Sequence, residues 1–418
     1  MESEILIIGA GIFGVSTAYH LSLTHPDPSR VTILDVAPHP APRAASTDMN
    51  KIIRADYTSR FYMELAYEAM DVWEKLPIFT EAGVFHRTGW VLFDSKGDGK
   101  GASIRKRFRA SSRADPTVDF TVEGAQTKWN GVLSQTSLEE LEPAYANPAA
   151  GWADADDALK LLLDEAIRRK VRYEVGEVHR LILGENGISG VWTTDGTVYT
   201  AHKYLLATGA WTSQLMSPLE DELGLPDIER VESQLTAYAC CVAHLRLSPD
   251  EAKLYEQLPV VVFGNRGELL PVKSNLLKLN CSRVYNVVTT ETGHKVSFPL
   301  NHDQSIIPEA TKQESLSLIK SWLPQLLENG RQVDTWRLCW DSLSPDNNML
   351  ITQHPNPKVS NLYFAAAGSA HSFKFLPVIG KYVVNVLDGT GNGEEGDHRW
   401  SWKAPEERTS PAGCAQPS

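Results

Sequence analysis

The sequence predicts an α/β (α+β) protein: a Rossmann-type dinucleotide domain carrying an inserted second domain built on a mainly antiparallel sheet. Three observations predict this. The apolar run Ile5-Leu6-Ile7-Ile8 leads straight into Gly9-Ala10-Gly11-Ile12-Phe13-Gly14. Strand-then-glycine patterns return far downstream, at Lys203–Gly209 and at Asn361–Gly368. Between them, residues 230–300 are rich in alternating, β-branched stretches of the kind that pair antiparallel. At 418 residues and 46.3 kDa the chain is long for one core, so two domains are expected.

The elements follow in order. Residues 4–8 read as a buried parallel strand, because an uninterrupted apolar run has no solvent face. Gly14 to about Leu23 reads as a helix with Val15, Ala18, Tyr19 and Leu21 on its apolar face. Val31–Leu34, closed by Asp35, is the next strand, completing a βαβ unit. Pro38 to Pro42 is a loop, and Phe61 to Leu76 is a helix stopped by Pro77. Gly89–Phe93 is strand-like. The basic, Ser-rich stretch Lys96–Arg113 reads as a solvated loop or helix rather than a nucleic-acid patch. Asp157–Lys170 is a helix with Leu159, Leu162, Leu163 and Ala166 inward. Strands alternate to Tyr199, and Lys203–Trp211 is an apolar strand running into a glycine turn. Glu314–Leu327 and Pro377–Leu387 read as helices, with the strand Asn361–Gly368 between them. The Gly, Glu, Pro and Ser-rich remainder reads as a tail. This order implies a discontinuous nucleotide domain (1–85, 150–220 and 335–390), an inserted substrate domain (86–149 and 221–334) and a flexible tail (391–418).

Gly9, Gly11 and Gly14 have the GxGxxG spacing. The first permits a tight turn, the second lets a pyrophosphate approach the backbone, and the third allows close helix–strand packing. The helix N-terminus at Ile12 and Phe13 then faces the phosphates with its partial positive charge. Asp35, 21 residues beyond Gly14, can accept hydrogen bonds from ribose hydroxyls. The motif does not separate FAD from NAD. Ala207-Thr208-Gly209-Ala210, a strand ending in an ATG-like turn, adds weight for FAD.

The net charge of -12 and pI of about 5.5 argue against nucleic acid and anionic membrane as partners. Five cysteines, Cys240, Cys241, Cys281, Cys339 and Cys414, show neither a disulfide framework nor zinc-ligand spacing. With no signal peptide, membrane span or C-terminal peroxisomal address evident, a reducing, cytoplasmic setting is expected.

Four further segments carry a resemblance: Ser46-Thr47-Asp48-Met49-Asn50-Lys51-Ile52-Ile53-Arg54, Arg337-Leu338-Cys339-Trp340, Pro345-Asp346, and His371-Ser372-Phe373-Lys374-Phe375-Leu376-Pro377-Val378-Ile379-Gly380. With these the chain resembles the flavin amine oxidases, the family of monomeric sarcosine oxidase, fructosyl amino acid oxidases (amadoriases) and pipecolate or saccharopine oxidases. It is most similar to the fungal members, from Ile5 to about Leu387. The resemblance implies FAD joined covalently through Cys339 to the 8-methyl position of the ring. It implies Arg54 and Lys374 as partners of a substrate carboxylate. An Arg and a Lys converging on one carboxylate make a strong anchor. Ser46, Lys51, Gly368, His371 and Phe373 are implied around the cofactor. Lys278, between Leu277 and Leu279, matches the lysine that promotes oxygen activation, with Lys273 as a competing candidate. A buried lysine needs a partner or a function, and charge forming beside a reduced flavin needs a cation.

Two positions depart from the sarcosine oxidase pattern. Asp341 replaces an aromatic residue beside the cysteine, and Ser282 replaces a substrate-side histidine. An acid near the amine favours a larger or more basic substrate than sarcosine, with Asp341 contacting it. The expected activity is oxidation of a secondary amine, an N-substituted or cyclic amino acid. A hydride passes to flavin N5, leaving an imine, and O2 then reoxidises the flavin to give H2O2, with Lys278, Lys51 and His371 as the catalytic set. Three alternatives stay open: a tailoring enzyme whose imine is captured to form a ring, a dehydrogenase using an acceptor other than oxygen, and a non-catalytic flavin-binding protein, against which the intact Cys339, His371 and Lys374 argue. A monomer is expected.

Overall fold

The computed structural model describes residues 2–299 and 303–407. Its first sheet is centred on Glu2–Ile8, with Val31–Asp35 and Val198–Leu206 parallel on its two sides. Arg172–Val175 and Leu362–Ala366 continue the parallel run, and Leu350–Gln353 closes one edge antiparallel. The hairpin Val178–Gly184 and Gly187–Thr193 joins Val198–Leu206. The central strands are apolar throughout because both faces are covered. Ile7 and Leu205 pack toward the helices Ile12–Thr24, Ala155–Arg168 and Ile379–Leu387, while Leu6 and Leu206 pack toward the helix Thr212–Leu223. The first and last of the three helices on the former face touch backbone to backbone. A Cβ on Gly380 would lie 2.0 Å from the Ser16 carbonyl oxygen, and Ser16 Oγ accepts from the Gly380 amide while donating to the Leu376 carbonyl.

The second sheet runs Thr335–Leu343, Thr236–Arg246, Leu276–Tyr285, Glu268–Lys273, Val260–Phe263, Trp90–Ser95, Leu141–Asn147. Its pairings are antiparallel except that of Val260–Phe263 with Trp90–Ser95, so it is the mainly antiparallel sheet that the sequence predicts. A small third sheet joins Asn50–Ile53, Gly151–Asp154 and Phe85–His86. It is tied to the second by Asn50, whose side-chain amide donates to the Pro271 carbonyl at 3.0 Å.

Three expectations are corrected. The strand Thr335–Leu343, expected within the nucleotide domain (335–390), pairs with Thr236–Arg246 and belongs to the second sheet. Its neighbours in sequence hid its neighbours in space. The stretch Lys96–Arg113, read as a loop or helix, takes the helical form over Lys100–Arg109, with Ile104 and Phe108, four residues apart, buried. The helix expected over Glu314–Leu327 starts earlier and runs Glu309–Trp322, ending just before Pro324, which opens a 3-10 turn. The tail expected over 391–418 forms a helix at Gly393–Trp400. Trp400 is fully buried between Phe61 and Tyr382 and donates to the Tyr62 hydroxyl at 3.2 Å. One large aromatic supplied the apolar area that a composition reading of Gly and Glu missed. The end of the tail, Cys414 included, lies outside the described residues.

A buried acid pair lies on Thr212–Leu223 and the turn after it. Glu220 Oε1 accepts from the Val231 amide at 2.7 Å, and Arg230, 1% exposed, lies 3.4 Å from Glu220 and 3.8 Å from Glu232. Burial, reinforced for Glu220 by Glu232, lifts the two carboxyls to about 8 and about 7. Both values exceed the unfolded 4.5, so the folded state holds these protons more tightly, and the stability they bring fades progressively as pH rises from about 4.5 to about 8. Glu232→Gln, which keeps the neutral form, is therefore expected to raise Tm at about pH 8 and to change it little at about pH 5. A thermal melt at the two pH values checks this, and equal shifts at both would contradict it.

Candidate active site

One cavity of about 530 Å3 runs from the glycine loop to the region of Lys374 and Arg54. At its first end Gly9 has φ +105°, and a Cβ there would lie 2.4 Å from the Ala207 carbonyl oxygen. A Cβ on Gly14 would lie 1.9 Å from the Gly9 carbonyl oxygen. Gly11 differs: a Cβ there would meet only Ser46 Oγ at 3.6 Å and Ala44 Cβ at 3.9 Å, leaving open space over the start of Ile12–Thr24. Ser46 Oγ is buried with no partner among the described residues. Asp35 Oδ2 accepts from the Ala10 amide at 2.5 Å, and burial raises the Asp35 carboxyl. Ile12, Phe13, Gly9, Gly11, Asp35 and Ser46 all line the cavity. The open cradle at Gly11 and the orphaned hydroxyl of Ser46 fit a dinucleotide pyrophosphate.

In the middle of the cavity stands Cys339, on the strand Thr335–Leu343. Its sulfur is 3.5 Å from the Lys51 ammonium and 3.7 Å from the Ala45 carbonyl oxygen. Arg337 pins the facing segment: it donates to Thr47, Ala44 and Pro42 carbonyls and to Gln304. Cys240 also lines the cavity, but burial and the nearby Cys339 push its thiol up to about 12. Cys281 is likewise driven well above its ordinary value by burial. Cys339 is the cavity thiol within hydrogen-bond reach of the Lys51 ammonium.

Lys51 belongs to a buried triad that the sequence only half revealed. Asp48 Oδ2 lies 2.9 Å from Lys51 Nζ and 2.5 Å from Lys278 Nζ, and Lys278 also donates to the Asn50 carbonyl at 2.9 Å. Burial acts to raise the Asp48 carboxyl, but the two ammoniums outweigh it and hold the group well below the usual carboxylate range. Burial acts to lower Lys51, and Asp48 with Cys339 outweighs it and holds the lysine charged. Lys278, 0% exposed, is drawn down by burial. Lys51 lies on the cavity wall and Lys278 behind it. Lys273, the competing candidate, pairs with Asp154 and Asp157 elsewhere.

Beyond Cys339 the chain turns through Ala367, Ser369 and Ala370, all with positive φ. Asp341 holds this loop: Oδ2 accepts from the Ala370 amide at 3.0 Å and Oδ1 from the Ser342 amide at 2.8 Å. A Cβ on Gly368 would lie 2.8 Å from Asp341 Oδ1, so Gly368 is needed for the close approach. The carboxylate expected to contact substrate is thus engaged with backbone amides while lining the wall. Ser282 is buried and does not line the cavity, which Asn280, Cys281 and Arg283 do.

The far end carries two cations. Lys374, 4% exposed in the turn Phe373–Phe375, donates to the His371 carbonyl at 2.6 Å. Its own carbonyl accepts from Trp73 Nε1 at 2.8 Å. Burial, then Arg54, draws the Lys374 ammonium far down, so Arg54 is near enough to repel it. The Arg54 guanidinium sits 5.1 Å from the Tyr57 ring centre and 5.0 Å from that of Trp90, and donates to the Asp56 carbonyl. His371 Nδ1 lies 3.1 Å from the Tyr57 hydroxyl, and Nε2 lies 2.9 Å from the Asn347 carbonyl. Burial and Lys374 lower this histidine to about 3, so it is neutral, its Nε2–H donating to Asn347 and its Nδ1 accepting from Tyr57. Sequence reading missed Asp48, Tyr57 and Trp90. An acid three residues before Lys51 was the available signal for the first; nothing local marks the other two.

A parallel sheet ending in a phosphate-type glycine loop, opening into a cavity lined by Cys339, Lys51, Arg54 and Lys374, defines a dinucleotide-dependent oxidoreductase. Residues 4–386 match the FAD dependent oxidoreductase (DAO) family model, and the chain belongs to this family. It is 28% identical to L-saccharopine oxidase of Schizosaccharomyces pombe, over 96% of this chain and 94% of that one. It is 23% identical to human peroxisomal sarcosine oxidase, over 92% and 91%. Among solved structures it is similar to the fructosamine oxidase Amadoriase II of Aspergillus fumigatus, with a TM-score of 0.83 and 28% identity over 97% of this chain and 90% of that one. The resemblance to flavin amine oxidases, and the fold class it implies, are therefore correct.

The attachment at Cys339 that the resemblance implies has a direct test. Acid precipitation of the holoenzyme is expected to leave the yellow colour in the pellet, and Cys339→Ala is expected to release it to the supernatant. Release from the unmodified protein would contradict the attachment.

Proposed function

We propose that the protein is an FAD-dependent oxidase of a secondary amine that also bears a carboxylate, an N-substituted or cyclic amino acid. The observation that carries this is the facing pair Arg54 and Lys374, two cations without a carboxylate partner among the described residues, in the cavity that also holds the glycine loop and Cys339. The printed activities of its relatives, on saccharopine and sarcosine, support the same class.

Gly9, Gly11, Gly14 and the helix N-terminus at Ile12 and Phe13 would hold the pyrophosphate and Asp35 the ribose, with the Ser46 hydroxyl as a further donor. Cys339 would hold the ring through its sulfur. The chemistry contributed by bound FAD is acceptance of a hydride equivalent from the amine's α-carbon, with dioxygen as final oxidant and hydrogen peroxide as product. Arg54 and Lys374 fix the carboxylate, and so the direction in which the α C–H bond points. Tyr57 and Trp90 flank Arg54 and restrict its position. His371, neutral and bonded at both nitrogens, holds the loop of Lys374 rather than moving a proton. Lys51, kept charged by Asp48 and backed by Lys278, places positive charge where electron density accumulates.

The experiment is anaerobic mixing of the yellow holoenzyme with saccharopine, pipecolate, proline, sarcosine, fructosyl-valine and N-methylated aromatic amino acids. Bleaching by one class, followed on admission of oxygen by one hydrogen peroxide per turnover, is expected. A flavin that bleaches but does not recover in oxygen would make the protein a dehydrogenase, and one that none of them bleaches would overturn the reading.

A further inference from the structure

The sheet that carries Cys339 sets a second thiol against it. Where Thr236–Arg246 pairs with Thr335–Leu343, Cys240 stands directly opposite Cys339. Directly opposed residues of an antiparallel pair have Cα atoms about 4.5–5.5 Å apart, inside the span of about 4.4–6.8 Å that a disulfide bridges. Opposed residues also share one face of the sheet, and both cysteines line the cavity. Both are free thiols. Cys240 has no part in the chemistry described above. Its sulfur lies 3.9 Å from each of the Cys241 and Cys281 carbonyl oxygens, at the limit of a weak contact.

The two sulfurs have different surroundings. Cys339 Sγ is 3.5 Å from the Lys51 ammonium. Burial, then the neighbouring Cys339, holds the Cys240 thiol protonated, which makes it a poor first target for an oxidant. Cys241 and Cys281 neighbour Ser315 instead, under the helix Glu309–Trp322. A cavity-wall cysteine that is to bond a cofactor stands open to oxidation until the bond is made, and beyond the sulfenic stage that damage is irreversible. An opposed thiol gives the oxidation a reversible end point.

Resting on the attachment at Cys339, we propose that Cys240 is the resolving thiol of Cys339: in the flavin-free chain the two close a disulfide that blocks attachment and spares Cys339 from irreversible oxidation. The oxidant is hydrogen peroxide. The Cys339 sulfur takes one peroxide oxygen as the O–O bond breaks, and the other oxygen leaves as water with the thiol proton. The Cys240 thiol then attacks the Cys339 sulfur. The S–S bond forms, and the sulfenic oxygen leaves as a second water with the Cys240 proton. Together the two thiols lose two electrons, and one peroxide gains them.

The test uses the full-length chain from riboflavin-limited cells. It is treated with hydrogen peroxide, its free thiols are alkylated, and the digest is mapped by mass. The Cys240 and Cys339 peptides are expected to be joined, lighter by two hydrogens than their sum. Acid-stable uptake of FAD is expected to fall at least about tenfold and to return on reduction with dithiothreitol, because a disulfide is reversible. In Cys240→Ser the same treatment carries Cys339 to the sulfinic acid, and dithiothreitol is expected to leave most of the loss in place. Absence of the joined peptide, a spread of pairings such as an unfolded chain gives, or a Cys240→Ser variant that recovers as fully as the unmodified chain would overturn the proposal. The untreated chain separates its failure from that of the attachment. If that chain takes up no acid-stable flavin while the joined peptide forms on oxidation, the cysteine pair stands and the attachment falls. If it takes up acid-stable flavin and oxidation joins no peptides, the attachment stands and the cysteine pair falls.

Discussion

Arg54→Met lowers kcat/KM for the carboxylate-bearing amine by roughly 30- to 3000-fold, the kinetic equivalent of about 2–5 kcal/mol lost when one partner of a buried, hydrogen-bonded charge pair is removed. The guanidinium is clasped between Tyr57 and Trp90 and reaches a carbonyl of its own segment, so its position is fixed before the ligand arrives. Methionine fills much of the same space between the two rings, and the fold is expected to survive. Lys374 remains, but burial and Arg54 together had drawn its ammonium down. With Arg54 gone, Lys374 holds its proton more readily and recovers part of the loss. The effect falls mainly on KM, because the carboxylate is bound in ground and transition states alike. Steady-state kinetics check this. A change under about threefold would place the carboxylate elsewhere.

Asp48→Asn produces the largest loss of stability, on the order of 3–5 kcal/mol, the range seen when one member of a buried ion pair is removed. Two ammoniums depend on this carboxylate, and one of them, Lys278, is 0% exposed. Asparagine leaves both without a counter-charge. Lys278→Met is the instructive contrast: Asp48 keeps Lys51 as partner, and an unbranched apolar chain replaces the stem between Leu277 and Leu279. Its cost is expected to be clearly smaller. Urea unfolding of the two variants compares them directly, and an equal or reversed order would show that Lys278, not Asp48, is the centre of the triad. In single lysine variants the rate of flavin reoxidation reports on the charge facing the cavity. Lys51→Met is expected to slow it more than Lys278→Met, since Lys51 is the lysine on the wall.

Much of the nucleotide end was legible because its signals are local. The strand Glu2–Ile8, the glycine loop, the helix after it and Asp35 lie within one short βαβ segment, where periodicity and spacing carry the information. Cys339, Lys374 and Arg54 were reached through motif resemblance. The structure brings them to one cavity from three distant parts of the chain. What stayed hidden depends on long-range pairing. The strand of Cys339 reads as part of the C-terminal nucleotide segment, yet its hydrogen bonds go to Thr236–Arg246. Lys278 reads as a lysine needing a partner, but that partner, Asp48, lies 230 residues away. Asp341 reads as a substrate acid because composition cannot show that two backbone amides already occupy its oxygens. Trp400 reads as part of a polar tail because one buried indole among Gly and Glu barely shifts local hydropathy.

The most direct measurement is the anaerobic rate of flavin bleaching by the best amine substrate, compared with the same amine as its methyl ester. The ester keeps the α C–H bond and the amine and removes the negative charge that Arg54 and Lys374 receive. The anchored-amine mechanism predicts bleaching by the acid and a reduction at least about a hundredfold less efficient by the ester, in line with loss of a charge-assisted anchor. Equal bleaching by both would contradict it, and would assign Arg54 and Lys374 some role other than holding the substrate.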